Sequence, residues 1–149
     1  MSGVRKLSAA AMIAALVAGL IAGGSGAAAP KVHRYTTHGR LVVLDAHTGV
    51  GDVKGSASGK YAAQIAHFTV KGNKVSGTSV SYNSVGSTVG PFTLTLKTNP
   101  DGSTTYTGTG RITAGTGLYR GARGTVKVSG HTAKGATIGY FTYKVTVKY

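Results

Sequence analysis

The sequence predicts an all-β protein, a single closed antiparallel barrel of eight strands that follows an N-terminal signal helix. Three observations predict it. Apolar and polar residues alternate with period two over most of the chain past residue 30. Turn residues punctuate these runs at short intervals, and no segment past residue 30 shows a convincing helical period. The composition agrees, with 24 Gly, abundant Ser and Thr, and few of the long side chains that favour helices. A two-sheet sandwich is the alternative; a barrel is the more economical answer because closure removes the sheet edges.

At the N-terminus, Arg5 and Lys6 precede the uncharged apolar run LSAAAMIAALVAGLIAGG, and SGAAAP closes it with small residues. That three-part layout predicts a secretory signal peptide over residues 1–29, cleaved near Ala27 or Ala28. The rival is a retained anchor, against which the break at Gly23, Gly24, Ser25 and Gly26 argues. Residues 30–38 are expected as a flexible arm and residues 39–149 as the barrel domain. Strands are expected over 39–45, 61–71, 74–82, 92–98, 103–112, 123–130 and 141–149, with a shorter one in 51–58. The clearest is FTYKVTVKY, where Phe141, Tyr143, Val145, Val147 and Tyr149 share one face and Thr142, Lys144, Thr146 and Lys148 the other. Gly72-Asn73 between two β-rich runs is a hairpin signal. TNPDGST (98–104) is a second turn, where Pro100 fixes φ and Gly102 is free to take positive φ.

GTGRITAGTGLYRGARGTVKVSG (108–130) poses the sharpest question. It is not a phosphate loop. It contains no GxxxxGK[ST], the GxG at Gly115 and Gly117 is followed by Arg120 where GxGxxG needs glycine, and a strand follows where those motifs need a helix. Glycines in such a run instead let a strand turn tightly or pass close to another backbone. The segment ITAGTGLYRGARG resembles the Gly-rich hairpin of the allene oxide cyclase/dirigent-like barrel superfamily. Ile112, Gly115, Thr116, Gly117, Tyr119, Ala122, Arg123 and Gly124 carry the match, and Ala114 stands where a first Gly is common. The chain looks most like the small secreted bacterial members. The resemblance implies an eight-stranded barrel with a mostly apolar cavity, often in a homotrimer. Where dirigent proteins commonly place an acid after the glycines, this chain has Leu118; Asp45 is the acid that corresponds to one in the first strand. Allene oxide cyclases use a Glu and a pocket Cys, and this chain has neither.

The candidate catalytic residues are therefore Asp45, Arg123 and Tyr119. The candidate ligand-binding residues are Phe68, Phe92, Tyr106, Tyr119, Arg123, Phe141 and Tyr143; the aromatic rings face a barrel interior or simply fill it, and Arg123 is expected to face the cavity or pair with an Asp at the barrel rim. Asp45 and His47 serve equally well as the polar exit of a strand, and His67 as a packed histidine. The spacing of His33, His38 and His47 matches no strong zinc pattern, so no metal is expected, and no cofactor. The absence of Cys excludes disulfides and thiol chemistry. With 17 Lys and Arg against three Asp, the net charge is +14, and only two of those cations lie in the signal segment. Such an excess steers a protein toward polyanions. Secretion argues for anionic envelope polymers and against nucleic acid. The expected function is binding of a small apolar ligand in the barrel without catalysis, in a secreted or envelope-associated protein. The alternatives are an isomerase or cyclase of the resembled superfamily, and a basic structural protein of the envelope with a filled barrel.

Overall fold

The computed structural model describes residues 29–54 and 61–149. The expected signal segment, apart from Ala29, and residues 55–58 of the short strand lie outside the described residues. The described residues form nine strands: β1 (Val32–Val43), β2 (Thr48–Lys54), β3 (Ala62–Lys71), β4 (Lys74–Asn83), β5 (Gly86–Thr98), β6 (Thr104–Ile112), β7 (Ala114–Gly115), β8 (Arg123–Thr132) and β9 (Ile138–Lys148). Eight of them close a ring in the order β1-β2-β3-β4-β5-β6-β8-β9, with every pairing antiparallel. The two-residue β7 stands outside the ring and pairs with β5 through Thr88–Gly115 and Val89–Ala114.

Closure rests on β1 and β9, the first and last strands. Their register runs from Val32 opposite Lys148 to Val42 opposite Ile138. Residues 32–38, expected as a flexible arm, are therefore strand. Alternation is present there, but the inward residues His33, Tyr35 and Thr37 are not aliphatic, so the pattern reads as polar until β9 is seen to need a partner. Beyond the ladder, Lys31 and Tyr149 exchange backbone hydrogen bonds at 3.0 and 3.3 Å.

Alternation sets the inside and the outside. On β9, Phe141, Val145 and Val147 are buried while Lys144 and Lys148 are exposed. Two apolar clusters fill the barrel ends. One joins Ile112, Tyr119, Ala122, Val145 and Val147; the other joins Val75, Leu94, Val128 and Phe141, with Leu96, Phe68 and Tyr106 against it. Burying each such aliphatic side chain stabilises the fold by about 1.5–3 kcal/mol.

The glycine-rich segment is neither a phosphate cradle nor a plain hairpin. After β6 the chain leaves the ring to form β7, makes one 3-10 turn at Gly117–Tyr119, and re-enters as β8. The detour carries Tyr119 and Ala122 into the barrel end, where Ala122 is fully buried. Gly117 takes φ +58°, and a Cβ there would run into the Val85 carbonyl oxygen. Gly72 also has φ +58°, as the first central residue of the β3–β4 turn, but with open space around it.

Two outcomes are expected. Deleting residues 31–38 removes seven of the eleven β1–β9 register pairs and leaves two open edges; urea titration should then show loss of the cooperative transition, with aggregation. Gly72→Ala should cost about 1 kcal/mol, the left-handed penalty alone, and Gly117→Ala about 2 kcal/mol or more, because it adds a backbone collision. Equal losses for the two would contradict the close approach at Gly117.

Candidate functional site

Between the two end clusters lies a partly open cavity of about 160 Å³. Its shape follows from an asymmetry of the inward positions. On one side β5, β6, β8 and β9 present large groups, among them Phe92, Leu94, Ile112, Val128, Phe141 and Tyr143. Opposite them β3 and β4 present Ala62, Gln64, Ala66, Ser79 and Ser81. Small side chains facing large ones across the barrel leave the space unfilled.

The polar groups of the wall are held in place. Tyr143 donates its hydroxyl to Gln64 Oε1 at 3.1 Å, and Gln64 Nε2 donates to Ser79 Oγ at 2.8 Å. This chain links β9 to β3 and β4 across the interior. At the 3-10 turn, Asn83 Nδ2 donates to the Tyr119 hydroxyl at 2.7 Å. Asn83 Oδ1 accepts the backbone N–H groups of Val85 and Gly86 at 3.0 and 3.1 Å. Thr37 donates to the Lys54 carbonyl. Among the described residues no buried side-chain nitrogen or oxygen lacks a partner. Burial holds the Tyr143 phenol well above its ordinary range, so it stays protonated at any physiological pH.

Of the residues singled out in the sequence, the cavity brings together Phe92, Tyr119, Phe141 and Tyr143. Tyr106 packs on Phe141 with ring centroids 5.3 Å apart and bonds Thr132 at 2.9 Å, below the cavity rather than on its wall. Phe68 supports the same end cluster and borders a separate shallow groove beside His47 and His67. Arg123 is exposed, and its guanidinium donates to the Ala122 carbonyl at 2.8 Å. Alternation turns it outward, since its neighbours Ala122 and Gly124 face the inside. Asp45 lies in the β1–β2 turn, where its carboxylate accepts the His47 backbone N–H at 2.7 Å. That bond holds its pKa below the usual carboxylate range. The interior thus gathers neither Asp45 nor Arg123, and the acid/base set expected for a cyclase is not assembled around Tyr119. The three N-terminal histidines are also apart in role. His33 stacks on Tyr149, His38 bonds Thr142, and His47 bonds the Phe68 carbonyl. No group of three or more metal-ligating residues occurs among the described residues.

Sequence reasoning missed Gln64, Ser79, Ser81, Asn83, Thr37 and Tyr35. The one available signal was Gln64, a lone amide on the face it shares with Ala62, Ala66 and Phe68. A polar residue among small ones on an inward face marks a wall that other side chains do not fill.

Tyr143→Phe should cost about 1–2 kcal/mol, because the Gln64 oxygen loses its donor inside the barrel. Its pH dependence is also set. In the folded protein the Tyr143 pKa is raised, so the unfolded chain releases that proton first, near the ordinary phenol value of about 10. The contribution is complete below that pH and is lost as pH climbs beyond it. Denaturant titrations above pH 10 should fall less steeply for Tyr143→Phe than for the parent, and parallel curves would refute the assignment. No family model matches the chain, and no curated protein or solved structure is similar to it.

Proposed function

We propose that this chain is a secreted protein that binds a small, largely apolar molecule in its barrel without transforming it. The secretory part of the reading rests on the N-terminal sequence layout. The observation that carries the binding part is the cavity wall. All three Asp and all five His of the chain lie off it, and the sequence contains no Glu or Cys. The phenol of Tyr143 is kept neutral by burial, and the charged residue among the described lining residues, Arg111, is exposed, with alternation turning its side chain away from the inward Gly110 and Ile112. Proton transfer needs a group that gains and loses a proton near the working pH, within hydrogen-bond reach of the substrate. A wall of aliphatic and aromatic groups with a few fixed amides and hydroxyls suits recognition instead.

Volume bounds the ligand. A cavity of about 150 Å³ lined by apolar groups holds a benzene molecule, and drug-sized ligands need about 300 Å³ or more. The ligand therefore has about six to ten non-hydrogen atoms, such as one substituted ring, with a single polar group for the Gln64–Tyr143–Ser79 side. The resemblance to allene oxide cyclase/dirigent-like barrels belongs to the same proposal, supported by eight-strand closure and by the buried Tyr119 and Ala122 of the Gly-rich segment.

Ala66 is buried and lines the cavity, so Ala66→Leu places a larger side chain in the space. Calorimetry with a panel of small phenols and cyclic terpenoids should show parent binding weakened about tenfold or more in this variant, since one extra methylene alone shifts such pockets by about tenfold. The melting temperature should not fall. Binding that is equally tight in the variant would refute the cavity as the site.

A further inference from the structure

On the outer face of β8 and β9, like charges stand directly opposite each other twice. Lys127 faces Lys144, and Arg123 faces Lys148. Between the two pairs Thr125 faces Thr146. That threonine row continues to Arg111 on β6, opposite Thr125, and to Arg34 on β1, opposite Thr146. Six cations thus surround two threonines. All six are exposed. Strands β1, β6, β8 and β9 contain no acidic residue, and the ion pair among the described residues, Arg40–Asp52 at 2.7 Å, lies elsewhere.

Like charges directly opposite across an antiparallel pair destabilise a sheet. Here two such pairs lie about 14 Å apart along the strands, four residues at about 3.4 Å each, with no counter-charge between them. Among the described residues the one other opposed pair on neighbouring strands, Lys71–Lys74, closes the β3–β4 turn, where the side chains can splay. No acidic side chain on β1, β6, β8 or β9 offsets the repulsion at β8–β9, so an anion from outside would relieve it.

We infer that this face binds a phosphate-bearing polymer without bases. A single exposed cation makes a weak contact that salt screens, so useful affinity needs a partner that engages several cations at once and releases its counterions. The patch is too long for one phosphate and fits a chain of them. Three of the cations are Arg, whose guanidinium forks match phosphate oxygens in pairs, and the central threonines add hydroxyl donors. Single-stranded nucleic acid is held by stacking on open aromatic side chains, and the patch has none. The nearest exposed rings on these strands are engaged: His38, in the Ser129–Thr142 row, bonds the Thr142 hydroxyl at 3.2 Å, and Tyr140, one row further, is stacked on His131 with centroids 5.7 Å apart.

The test uses the purified protein and inorganic polyphosphate of medium length, with binding followed across a salt series. Lys127→Gln/Lys144→Gln should weaken binding about tenfold and reduce the slope of log K against log salt by about 1 to 2. Lys71→Gln/Lys74→Gln removes the same charge from the opposite side of the barrel and should leave the slope nearly unchanged. The melting temperature of the first variant, without ligand, should hold or rise, because a repulsion is removed. Equal loss in both variants would overturn the proposal in favour of diffuse charge. Tighter binding of an oligothymidylate with the same number of phosphates would overturn it in favour of nucleic acid. A lowered melting temperature in Lys127→Gln/Lys144→Gln would overturn the repulsion on which it stands.

Discussion

Everything in this molecule depends on the pairing of its first strand with its last. A meander of eight strands has two edges until β1 meets β9, and each edge is a row of unpaired backbone groups. The seam joins residues 96 to 116 positions apart, from Val42 with Ile138 to Val32 with Lys148. It also makes an inside. The Tyr143–Gln64–Ser79 chain spans from β9 to β3 and β4, and it has a fixed length only if the ring is closed. On the outside, Arg34 reaches the cationic patch only across the same seam, through its place opposite Thr146.

Closure alone would give a filled barrel, since eight strands enclose a space that side chains can occupy. The cavity comes from how volume is distributed. The bulky lining residues come from β1 and from β5, β6, β8 and β9, while β3 and β4 supply alanines, serines and the single amide Gln64. The Gly-rich detour then plugs one end, with Tyr119 tied to Asn83 on the far side of the β4–β5 turn. A register slip of one residue would undo both faces together, turning Val145 and Val147 outward and Lys144 and Lys148 inward. The strength of alternation on β9 is therefore what protects the cavity wall and the outer cations at once.

This explains what was legible in the sequence. Strands such as FTLTLKT and FTYKVTVKY announce themselves because apolar side chains mark their inner face. Turns such as Gly72-Asn73 and the loop around Gly102 do so because they need positive φ. Residues 32–38 were unreadable as strand because tyrosine, histidine and threonine mark their inner face, and only β9 shows that they are needed. The cavity was unreadable because it depends on which side chains face each other across the barrel, a matter of register between distant strands. Arg123 misled for a related reason. It sits in a demanding motif, but the demand falls on its neighbours Gly117, Gly121 and Ala122, while its own side chain points to solvent.

The rarest residue type ties the inside to the outside. The chain has three carboxylate side chains, and each serves local structure. Asp45 accepts the His47 N–H in the β1–β2 turn, and Asp101 accepts the backbone and side chain of Ser103 in the β5–β6 turn. Asp52 pairs with Arg40 across β1 and β2. Each is thereby held ionised, with its pKa below the usual range. None is left to act as a base in the cavity, and none is left to neutralise the cations of β8 and β9. A single pair of acids moved to the β8–β9 face would quiet that surface, and one moved to the β4 wall would give the interior a proton acceptor. Their placement in turns and in one surface pair leaves the cavity wall without a carboxylate and the cations of β8 and β9 without an acidic neighbour on their own strands.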